Sequence, residues 1–185
     1  MIPTSIKEAF ISVDVETAGP NPSQYSLLSI GACTIWGPQR SFYVELQPVN
    51  EEMLAEAFAI HGLSLELLSK NGVSPEDAMA RFETWLQEVV PVGQPPIFVA
   101  FNAPFDWMFV SDYFHRYLGY NPFGHAALDI KSYYMGLSGS SWKETAMVNV
   151  SKNVLDGRKI SHNALEDAQD QAEIFERLFD QARKS

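Results

Sequence analysis

Five side chains in this sequence have the types and the spacing for chemistry on a phosphodiester. Asp14 and Glu16 lie in FISVDVETAGP, Asp106 in FVAFNAPFDWMF, and His162 with Asp167 in SHNALEDAQDQA. Acids set in such apolar segments are costly unless something positive compensates them. Two divalent cations would do so, because hard cations take oxygen ligands and activate water against phosphate esters.

Each piece also has a structural explanation. Asp14 and Glu16 are two apart on a strand pattern and leave the same face, which an exposed acidic edge would also produce. Asp106 opens a helix, where an acid complements the helix dipole. Asn163 can cap the last helix with Glu166 at its third position, so Glu166 needs no other role. Asp167 follows as a first-turn acid. His162 stands just outside that helix, either as a surface histidine or as an acceptor for the proton of an attacking water. The conjunction, in this order, is what points to chemistry.

The elements that must position these residues follow from periodicity. FISVDVET alternates apolar and polar residues as a strand; YSLLSIGACTIW and RSFYVELQP follow as two more, joined by a turn at Gly37-Pro38. Residues 51 to 70 read as helix broken at His61-Gly62. SPEDAMARFETWLQEVV is a helix with Ser74 as cap and Pro75 at its first position. PPIFVAF is a buried strand, PFDWMFVSDYFHRYLG a helix closed by Gly119, and AALDI a fifth strand. Leu165, Ala168, Ala172, Phe175 and Phe179 form one apolar stripe on a C-terminal helix. The expected fold is a mixed α/β sheet covered by helices, with ligands gathering where strand ends meet helix starts.

At 185 residues with 46% apolar content, the chain suits one globular domain over residues 1–185, with a core from about 8 to 182. No secretory or membrane-length apolar run is present. The lone Cys33 reads as a small buried residue, and a reducing cytoplasm is the default. A net charge of −10 argues against a processive duplex binder. Two divalent ions would bring it to about −6, and a grip on one or two terminal nucleotides needs few phosphate contacts.

Asp14-x-Glu16-Thr17, Asn102-x-x-Phe105-Asp106 and His162-x-Ala164-x-x-Asp167 together resemble the three motifs of the DEDDh 3′–5′ exonucleases. Proofreading polymerase subunits, RNase T and oligoribonuclease are members of that family. The resemblance runs over roughly residues 10 to 180. It implies a ribonuclease H-like fold with a five-stranded mixed sheet and helices on both faces. It also implies 3′–5′ hydrolysis of single-stranded or short DNA or RNA, releasing nucleoside 5′-monophosphates.

By the same resemblance, Asp14, Glu16, Asp106 and Asp167 would hold two Mg²⁺ or Mn²⁺ ions, and His162 would be the general base. Thr17, Asn102 and Phe105 would contact substrate. EAFAIHGLS is similar to a segment touching the terminal nucleotide, which adds Glu56 and His61 as contacts; a solvated acid and a backbone-paired histidine explain them equally. Several relatives are dimers, so a homodimer is a candidate assembly. Phe101 departs from the family, where histidine is common, and reads as core. Asp129 reads as supporting rather than metal-binding.

Lys143, Lys152, Arg158 and Lys159 form a basic stretch suited to a phosphate backbone or to ordinary helix ends. Phe105 and Trp142 could stack bases, whereas Trp107 suits the core. The rivals are a ribonuclease H-type endonuclease and a nucleic-acid-binding module without catalysis. His162 five residues before Asp167 disfavours the first, and the complete set of five residues disfavours the second.

Overall fold

The computed structural model describes residues 8–155 and 162–183; Arg158 and Lys159 lie outside them. Five strands form one sheet in the order β3-β2-β1-β4-β5. They are β1 (Ala9–Thr17), β2 (Leu27–Thr34), β3 (Ser41–Glu45), β4 (Pro96–Ala100) and β5 (Ala127–Asp129). The first three are an antiparallel meander, and β4 and β5 run parallel to β1. This is the mixed sheet expected from the sequence.

Alternation along β1 divides the molecule. Ile11, Val13 and Val15 enter a core formed with α3 (Pro75–Val89) and α4 (Pro104–Leu118). Cys33, Val99 and Ile130 belong instead to a second core with α7 (Ala164–Ala182), filled by Phe175 and Leu178 and flanked by α5 (Ile130–Ser138) and α6 (Met147–Val154). Helices therefore cover both faces. The Cys33 thiol is buried, and burial pushes its pKa up to about 12, so it is no nucleophile.

Helix starts follow their capping chemistry. Ser74 accepts from the Asp77 N–H with Pro75 in the first turn, and Asn163 accepts from the N–H groups of Leu165 and Glu166. The stretch expected as broken helix resolves into α1 (Ala55–His61) and α2 (Leu65–Asn71), with Gly62 in the left-handed region closing the first. Its start is later than the expected 51, because the Leu54 N–H bonds to the Ala18 carbonyl and fixes the chain there. Among the described residues, no helix is long and apolar enough to cross a membrane.

Candidate active site

The strand parity that buries Ile11, Val13 and Val15 turns Asp14 and Glu16 to the other face, beneath α7. What lets α7 come so close is Gly31, directly paired with Asp14 on β2. A Cβ at Gly31 would lie 2.2 Å from the Ala164 carbonyl and 2.3 Å from the Leu165 nitrogen. The bare backbone thus seats the first turn of α7 on the sheet beside Asp14. Asp167, buried in that turn, joins the strand acids: one carboxylate oxygen from each of Asp14, Glu16 and Asp167 lies within 4.8 Å of the others.

Asp106 reaches the same place from the opposite layer. Pairing of β1 with β4 ends at Ser12 and Val99, so the Val15 N–H beyond it needs another acceptor. The Asp106 carboxylate, buried at the first turn of α4, takes that hydrogen bond at 3.1 Å. Asp106 is thereby fixed at the rim of the three-acid cluster, outside its tightest group. The chain turns into α4 at Asn102, which adopts φ 65°. His162, just before the α7 cap, adopts φ 57°. These are the non-glycine residues with positive φ among those described, and both belong to the sequence motifs. Such backbone persists where surrounding structure imposes it, often at functional sites.

Sequence reasoning missed Gln171. Its side chain is 2% exposed, donates to the Asp14 carboxylate at 2.5 Å and accepts from the Phe101 N–H at 2.8 Å. It spans the end of β4 and the strand acid, holding Asp14 in one orientation. Asp129, at the end of β5, caps α5 through Ser132 and accepts from the Ala103 N–H at 3.1 Å. It shapes the α4 entry, as expected of a supporting acid.

The electrostatics are those of crowded, buried acids. Burial first, then repulsion from Asp106, Glu16 and Asp167, raises the Asp14 pKa well above the carboxylate range, with Gln171 opposing. Burial and Asp167 push Glu16 up to about 7. Burial pushes Asp106 up to about 8, partly offset by its backbone hydrogen bonds, with Glu16 and Asp129 adding repulsion. Crowded oxygens that resist ionisation are the donor set a hard divalent cation satisfies. Asp14, Glu16 and Asp167 fit such an ion, with Asp106 beside them.

Next to Glu16 lies an apolar pocket of about 330 Å³, lined among others by Thr17, Leu54, Ile60, His61 and Phe105. Both nitrogens of His61 are engaged: Nδ1 accepts from the Leu63 N–H at 3.0 Å, and Nε2 faces the Thr17 carbonyl at 3.2 Å. That pattern sets the Nε2–H tautomer and leaves the ring face for contact. Burial lowers the His61 pKa; the Thr17 carbonyl opposes this, and His162 adds repulsion. The Thr17 hydroxyl donates to the Gly19 carbonyl. Glu56 is exposed on α1 and does not line the pocket. Phe101 packs with the second core, and Trp107 meets Phe98 edge-on.

A family model described as exonuclease, RNase_T, matches residues 11–175. The chain belongs to this exonuclease family. It is 50% identical to "3′-5′ DNA exonuclease Cap18" of Escherichia coli over 174 residues, covering 94% of this chain and 92% of that protein. It is 29% identical to ribonuclease T of Histophilus somni (strain 129Pt), covering 89% of this chain and 80% of that one. The solved nuclease domain of 3′hExo, a DEDDh family member bound to rAMP, aligns with a TM-score of 0.79 over 97% of this chain and 95% of its own, at 11% identity. That likeness carries the fold, which is ribonuclease H-like. Family membership and the extensive match to the E. coli protein make this exonuclease a 3′–5′ exonuclease.

Proposed function

We propose that this exonuclease removes nucleotides from the 3′ end of single-stranded or short DNA, releasing nucleoside 5′-monophosphates with two divalent cations, Mg²⁺ or Mn²⁺. The observation that carries this is the cluster of Asp14, Glu16 and Asp167 beside an apolar pocket. DNA rather than RNA is favoured by the 50% identity to a protein named as a DNA exonuclease.

Bound divalent cations would supply charge neutralisation at the phosphate and a more acidic attacking water. Asp14, Glu16 and Asp167 would hold them, with Asp106 contributing directly or through water. Gln171 keeps the Asp14 carboxylate turned inward. The 3′-terminal nucleoside would enter the pocket against Phe105 and the face of His61. Thr17, which lines the pocket, remains a candidate contact, and Asn102 and Glu56, outside its lining, are candidates for contact beyond it. His162, exposed at the mouth, would take the proton of the attacking water on an imidazole nitrogen. One exonuclease domain, a homodimer and a reducing cytoplasmic setting complete the reading; light scattering in solution separates monomer from dimer.

The test uses matched DNA and RNA oligonucleotides, labelled at either end, with Mg²⁺, Mn²⁺ or chelator. A 5′ label should give a descending ladder, and a 3′ label a mononucleotide from the first turnover. Internal fragments would identify an endonuclease, and faster loss of RNA would reassign the substrate.

A further inference from the structure

A chain of net charge −10 must bring its cations together wherever a polynucleotide strand is to lie. Residues 130–155 hold three lysines, Lys131, Lys143 and Lys152, against one acid, Glu144. The Glu144 carboxylate is turned back onto Ser141, accepting from its N–H at 2.8 Å and its hydroxyl at 2.6 Å. Elsewhere Arg40, Lys70, Arg116 and Arg177 are each matched to an acid, while Arg81 and Arg183 stand singly, without an ion pair to a described residue. The three lysines form no ion pair with a described residue. Within this stretch Trp142 is 54% exposed, and the Lys131 ammonium sits 4.0 Å from its ring centroid. That contact joins the 3₁₀ turn Trp142–Thr145 to the first turn of α5 as one basic, aromatic unit.

The sheet puts this unit at the right end of the molecule. Ser12 pairs with Val99, and Val99 with Leu128, so Asp14 and Ile130, each two residues further on, lie at the same level along the sheet. Lys131 follows directly, on β5's side of the acidic cluster. Two strand spacings separate β1 from β5, on the order of 10 Å. A stacked strand covers that in about three nucleotides at roughly 3.4 Å each.

We infer that Lys131 and Trp142, with Lys143 and Lys152 beside them, form a second subsite that holds single-stranded polynucleotide upstream of the terminal nucleotide. Trp142 stacks a base, and the lysines meet the phosphates. The inference takes strand polarity from the function proposed above.

The test compares wild type with a Lys131→Gln/Trp142→Ala variant and a Lys143→Gln/Lys152→Gln variant. One readout is fluorescence anisotropy of a 5′-labelled ten-nucleotide single strand in chelator. The other is kcat/KM for that strand divided by kcat/KM for a dinucleotide. Binding should weaken roughly tenfold or more in the first variant, the scale of one lost stacking platform, and the length ratio should fall with it. The lysine variant should flatten the salt dependence of binding. Binding that stays within about twofold of wild type in both variants overturns the subsite, whether or not the chain hydrolyses DNA. A wild-type protein whose binding falls on substitution but which releases no nucleotide overturns the exonuclease reading and keeps the subsite.

Discussion

Gln171 shows how a residue that matters can be invisible in sequence. In DAQDQAE it looks like any solvated helix glutamine, and the available cue is its spacing, four after Asp167 and hence on the same helix face. The motif acids were legible because carboxylates in an apolar strand or beside a buried helix start have few structural uses. Replacing Gln171 with leucine strands the Phe101 N–H, costing about 1–3 kcal/mol, and releases Asp14. Partners that orient metal ligands typically tune affinity or activity by about 10–100-fold, so half-saturating Mg²⁺ should rise by that order. Turnover titrated with Mg²⁺ checks this, and an unchanged half-saturation would assign Gln171 to packing alone. His162→Ala should lower kcat by about 10²–10⁴ while sparing oligonucleotide binding. Single-turnover assays decide it; a loss of only a few-fold would move the proton to another acceptor.

At the scale of elements, Gly31 sets how α7 meets the sheet. Sequence showed the α7 stripe and its Asn163 cap, and likewise the capped start of α3, because these depend on local spacing and side-chain chemistry. It did not show that β2 needs a glycine opposite Asp14, since close approach of two backbones is a long-range fact. Nor did it mark α5 and α6, short helices whose stability comes from packing on α7 rather than from strong start and stop signals. Gly31→Ala would drive a methyl into the Ala164 carbonyl. The expected result is a loss of about 1–3 kcal/mol together with reduced turnover, as Asp167 moves with its helix. Thermal melts and kinetics on the same preparation check it, and wild-type values for both would mean that α7 yields without cost.

The whole molecule should respond to pH through its acidic site. Glu16 is raised from 4.5 to about 7 and Asp106 from 3.8 to about 8. Folded protein therefore binds more protons than unfolded protein between those limits. Stability contributed by these groups is fully present below the unfolded values and is lost as pH rises through the folded ones. In chelator, Tm should fall between about pH 5 and about pH 8, and Mg²⁺ should raise Tm more at the higher pH. Melts on a pH and Mg²⁺ grid test this; a chelated protein that grows steadily more stable up to about pH 8 would contradict the crowded-acid picture.

The hydrogen bond from Gln171 to Asp14 ties β1 to α7. A ribosome releases Asp14 a full 157 residues before Gln171. A nascent chain that stops before Asp167 holds only two of the three clustered acids. The acidic cluster is complete only once α7 has been made and docked on the sheet, so products terminated before α7 would lack an acid of the proposed metal site.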